Sequence, residues 1–128
     1  MNQTGIRHDI TTAVHQAMDE HLELLSEAAM VRRSDALLAT LPGGSGSQPA
    51  TTAMVLRRYQ QRLQQELCDG NQPRATAATV QDELGEVTRA VLLTVGIGEG
   101  VSIDVAVGLA LVLYKRGVAP FCALPSYQ

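Results

Sequence analysis

From Ile103 to Tyr114 every residue except Asp104 and Gly108 is apolar, so no face of this segment can be left in water. The rest of the chain, or a second copy of it, has to wrap around it. The ends carry helix punctuation. Ser102 stands at the N-cap and Asp104 in the first turn, while Lys115 and Arg116 close the last turn and Gly117 follows. The same stretch also alternates, with Val101, Ile103, Val105, Val107, Leu109, Leu111 and Leu113 large and Ser102, Asp104, Ala106, Gly108 and Ala110 small or polar. The end signals, and a length unusual for a strand, select a buried helix over 102–116. The alternative is an α+β chain in which 101–114 is a strand.

The remaining pattern is helical as well. From Thr11 to Leu41 the apolar positions Ile10, Val14, Ala17, His21, Leu24, Ala28 and Val31 recur at spacings of three and four. A second stripe, Met18, Leu22, Leu25 and Ala29, widens that face. Arg32 to Asp35 interrupts the pattern and places a bend or a second helix there, with Ser34 as its cap. Residues 42–50 (PGGSGSQPA) read as a flexible Gly/Ser/Pro loop. Thr51 to Leu67 resumes the helix with a narrow stripe of Val55, Leu56, Tyr59, Leu63 and Leu67. Asp69 to Pro73 ends it. Thr79 starts the next helix, with Asp82 in the acidic position of a capping box. Val80, Leu84, Val87, Val91 and Val95 line one face, and Gly96, Gly98 and Gly100 break the chain before the central segment. Pro120 and Pro125 preclude a long terminal helix, and Phe121 and Leu124 are expected to lay the tail over the core. These elements make an all-α bundle of four or five helices in a single domain spanning 1–128.

Composition sharpens that picture in two ways. With one phenylalanine, three tyrosines and no tryptophan, the core rests on Leu, Val, Ile and Ala, which suits close helix packing and offers no platform for stacking bases. The net charge of −3 supplies no drive toward nucleic acid or an anionic membrane, and neither is expected as a partner. The apolar run 103–114 is too short to cross a bilayer. Cys68 and Cys122 stand far apart in sequence and outside any CxxC motif. MNQTGIRHD at the N-terminus lacks the apolar core of a secretory signal. Two free thiols in a cytoplasmic protein are therefore expected.

Candidate chemistry is sparse. His8 and His15 lie two helical turns apart, roughly 10 Å, too far to share one ion. His15 and Asp19 have the i,i+4 spacing of a ligand pair with nothing nearby to complete a zinc shell. His21 falls on the apolar stripe and reads as a core or interface histidine. Glu83 and Glu86 share a helix face. If the following helix packs antiparallel, Asp104 could join them as oxygen ligands for Mg²⁺. Gly96-x-Gly98-x-Gly100 lacks the spacing of a dinucleotide loop and reads as a turn. Arg57, Arg58 and Arg62 are dispersed around their helix and give only a modest basic patch.

The segment QDELGEVTRAVLL, followed by Asp104, resembles the EExxE and ExxD motifs of the all-α nucleotide pyrophosphohydrolases, the MazG-like family. The resemblance covers about a quarter of the chain. It implies that Asp82, Glu83 and Glu86 match the first motif and Asp104 the last acid of the second, holding Mg²⁺ to hydrolyse nucleoside triphosphates. Val101 stands where the second motif has its glutamate, and no later lysine or asparagine follows to grip phosphate.

The leading expectation is non-enzymatic: a small helical interaction protein acting through an apolar groove or oligomer interface, with no cofactor. The broad apolar face of the first helix points to a homo-oligomer, with Val14, Met18, His21, Leu22 and Leu25 as interface residues. The alternatives are the Mg²⁺-dependent hydrolase and a binder of a small apolar ligand in an interhelical pocket.

Overall fold

A computed structural model describes residues 3–41, 50–74 and 77–125. The chain is all-α. In order come α1 (Gln3–Asp19), α2 (Glu27–Ala39), α3 (Thr52–Arg58), α4 (Gln60–Leu67), α5 (Val80–Val91), α6 (Ile97–Glu99), α7 (Ile103–Arg116) and α8 (Val118–Ala123). A small hairpin follows α4, with β1 (Cys68–Asp69) antiparallel to β2 (Gln72–Pro73) and Cys68 opposite Pro73. The expected loop at 42–49 lies outside the described residues. No described helix is long and apolar enough to cross a membrane.

The central segment is a helix and its end signals are used. Ser102 Oγ accepts from Val105 N–H at 3.4 Å, and Gly117, at φ 99°, donates its N–H to the carbonyls of Leu113 and Tyr114. Every residue from Val105 to Leu113 is buried, which explains why the period-2 pattern misleads: a fully buried helix needs no polar face. The helices α2 and α5 pack most extensively against α7, and α1 lies against both α5 and α7. The helix α2 runs antiparallel to α7, with Glu27 paired to Arg116 at 3.3 Å and Ser34 facing Gly108. A Cβ on Gly108 would stand 3.1 Å from Leu37 Cδ1, so the glycine permits close approach of the two helices.

Two expected breaks fall elsewhere. The first helical stretch divides at residues 20–26, not at Arg32–Asp35. His21 adopts φ 57°, a 3₁₀ turn spans Leu22–Leu24, and Ser26 accepts from Ala29 N–H at 3.1 Å to cap α2. Ser34 is no cap; it is fully buried in mid-helix, where its small side chain fits against α7. Apolar spacing missed the true break because Ala17, His21 and Leu24 keep helical intervals across it. The expected single helix over 51–67 is found as α3 and α4, one hydrogen-bonded rod distorted at Tyr59, whose N–H reaches Val55 O and whose carbonyl accepts from Leu63 N–H.

The second break lies beyond the glycines' start. The helix α5 continues through a π turn, Leu92–Gly96, into α6 and stops only at Gly100, at φ 70°. Thr94 Oγ1 donates back to Ala90 O at 2.9 Å within the widened turn. Gly98 is helical for a packing reason: the Tyr59 ring and hydroxyl occupy the space a Cβ would need. Gly98→Ala is expected to destabilise the fold by about 1–3 kcal/mol, as overpacking does, and a thermal melt monitored by circular dichroism reads it directly.

The cysteines also depart from expectation. Cys68 and Cys122 are joined in a disulfide with their Cα atoms 5.6 Å apart, and no described cysteine is free. Sequence separation hid the pairing, because the turn at Gly117 brings α8 back over the end of α4. Gln64 Nε2 reinforces the junction by donating to the carbonyls of Phe121 and Leu124, each at 3.0 Å, and Gln60 Nε2 donates to Pro125 O at 2.9 Å. Phe121 is buried as expected, whereas Leu124 remains 48% exposed.

Candidate functional site

An open cleft of about 1130 Å³ is bounded by α1, α5, the hairpin end and α8. It follows from the amphipathic build of α5. Leu84, Val87 and Val91 turn into the core, while the polar positions between them edge the cleft. Thr79 fixes the start of this helix by accepting from Asp82 N–H at 3.0 Å. Buried side chains from four helices make the floor of the cleft, Ile10 and Val14 of α1, Leu67 of α4, Val87 of α5 and Val118 of α8, none more than 9% exposed.

The charged lining is unequal in sign. Glu66, Asp82, Glu83 and Glu86 bring four carboxylates, against the guanidinium groups of Arg74 and Arg89. Arg74 is occupied structurally, donating through Nη2 to Gln65 O at 3.0 Å and Cys68 O at 3.3 Å, which ties the hairpin end to α4. The cleft thus sets an excess of negative charge around an apolar floor.

Glu83 and Glu86 both line this cleft, Glu83 half-buried and Glu86 exposed. Asp104 does not join them. It sits in the first turn of α7, a few residues past Glu99, and the helical rise from Glu86 to Glu99 alone is roughly 20 Å. Among the described residues no three His, Cys, Asp or Glu side chains cluster as a group that could hold a metal ion. His8, His15 and His21 are all exposed, and His15 pairs only with Asp19, at 3.7 Å.

The expected interface set divides. Val14 is buried at 1% exposure within the single chain, so its surface is already covered. Met18, Leu22 and Leu25 are half-buried and His21 is exposed beside the 3₁₀ turn. Leu24, at 71% exposure, is the most prominent apolar group of that region and escaped notice because its spacing placed it on the inward stripe.

A polar cluster at the far end of α5 also went unanticipated. Tyr59 Oη donates to Glu99 Oε2 at 2.6 Å, and Arg58 pairs with the same carboxylate at 3.4 Å. The hydrogen bond to Glu99 keeps the proton on the phenol and raises the Tyr59 pKa, with burial and the carboxylate's charge acting in the same direction. Its neighbours and fit against Gly98 make it a brace between α3–α4 and α6.

Sequence spacing could not assemble the cleft, since Glu66, Arg74 and Val118 come from three separate elements. Its one legible component was the acidic run at the start of α5. Comparison with models of protein families, with curated proteins and with solved structures yields no match.

Proposed function

We propose that the chain is a helical interaction protein whose cleft between α1, α5 and α8 docks a partner's amphipathic helix, its apolar face inward and its polar edge rich in lysine and arginine. The observation that carries this reading is the pairing of an apolar lining with a carboxylate excess in one open cleft. A helix laid in a groove gains affinity from apolar anchors along one face, and the flanking charges select its polar edge.

The exposed Leu24, beside the half-buried Met18, Leu22 and Leu25, supports self-association through the α1–α2 corner as a second feature of the same protein. The disulfide supports an oxidising compartment over the cytoplasm, because reducing compartments keep such thiols unpaired.

The test uses two amphipathic helical peptides with the same apolar face, one bearing lysines and the other glutamates along its edge. The lysine peptide is expected to bind the full chain more tightly, by an amount that shrinks as salt is added. Glu83→Gln with Glu86→Gln should weaken it roughly fivefold, at about 0.5 kcal/mol for each carboxylate. Equal affinity for both peptides, or no loss in the double variant, would reject the reading.

A further inference from the structure

A second groove, of about 330 Å³, lies between the α3–α4 rod, the C-terminal end of α7 and the α8 segment. We infer that it binds a small amphiphile: a short apolar chain carrying an anionic carboxylate or phosphate head. The volume falls at the small end of the range typical of ligand pockets, too little for a helix but suited to a single chain. Its apolar contacts are Leu56, Leu113, Phe121 and Leu124. The first three are buried, but Leu124 is 48% exposed, a large apolar side chain held at the rim.

The charged side chains lining the groove are Arg57 and Arg116, and no described acid lines it. Arg116 uses Nε in its pair with Glu27, one of the five N–H donors a guanidinium carries. Forked guanidinium donors match the oxygens of a carboxylate or a phosphate, while an ammonium head would meet like charge. The wall that carries Phe121 and Leu124 is fixed from behind. Gln64 Nε2 donates to the carbonyls of both residues, and Cys122 is bridged to Cys68. A wall held in this way forms the groove before any ligand arrives, which reduces the ordering cost of binding.

The experiment titrates the intact oxidised chain with decanoate, decyl phosphate, decanol and decylammonium, each below its aggregation concentration, and follows leucine methyl resonances. Decanoate or decyl phosphate, or both, are expected to shift Leu56, Leu113 and Leu124, and the relative affinity of the two identifies the head group. Decylammonium should bind at least about tenfold more weakly. Arg57→Gln and Arg116→Gln should each weaken the anionic probes by about tenfold, the scale of one lost charge-assisted contact, while leaving decanol unchanged. Both arginines are exposed, so the variants should keep the native circular dichroism spectrum. Comparable binding of decylammonium, arginine variants with wild-type affinity for the anions, shifts confined to the α1–α5–α8 cleft, or no binding of either anion would each overturn the inference.

Discussion

Leu109→Asp is expected to abolish the cooperative thermal transition. Leu109 has no exposed surface and lies midway along α7, the helix on which α1, α2 and α5 all pack. A carboxylate there would replace a fully buried apolar side chain in a helix buried from Val105 to Leu113, and burying it costs several kcal/mol even if it is protonated first. Total stability of a domain this size is only about 5–15 kcal/mol. The variant should therefore show no native melt in circular dichroism and should exchange its backbone amides without protection. A folded variant with a near-native transition would mean that the core lies elsewhere.

The next largest effect should come from the disulfide. Breaking the link between Cys68 and Cys122 releases a loop of 54 residues in the unfolded chain. The chain-entropy model puts that at about 4 kcal/mol, and about 2–4 kcal/mol is the usual observed range. Reduction, or Cys122→Ser, should lower the denaturation midpoint accordingly. The loss should appear first at α8, where faster hydrogen exchange is expected around Phe121 because the segment is then held by the Gln60 and Gln64 hydrogen bonds and apolar packing without its covalent link. If thiol titration of the unfolded, unreduced chain found two free cysteines, the bridge and the wall it supports would both be discounted.

The parts of the fold that sequence made legible are those decided locally. Ser102 and Gly117 marked the ends of α7, and Thr79 marked the start of α5, because a cap is a contact between residues three or four apart. What sequence hid was decided by distant neighbours. Gly98 is helical on account of Tyr59, and Ser34 is buried on account of Gly108. The Cys68–Cys122 pairing depends on where α8 returns. His21 shows a different failure: its left-handed backbone breaks a helix that the apolar spacing carries straight through. The acids show it for the site. Glu83 and Glu86 were correctly placed on one helix, but their grouping with Asp104 required a convergence that the length of the α5–α6 helix prevents.

The central claim is that the α1–α5–α8 cleft is where a basic amphipathic helix docks, and amide chemical-shift mapping with the lysine-edged peptide tests it most directly. The account predicts perturbations concentrated on Ile10, Val14, Glu83, Glu86, Val87 and Val118, which line the cleft from three helices. Perturbations centred instead on Leu22, Leu24 and Leu25, or spread evenly over the exposed acids, would contradict it.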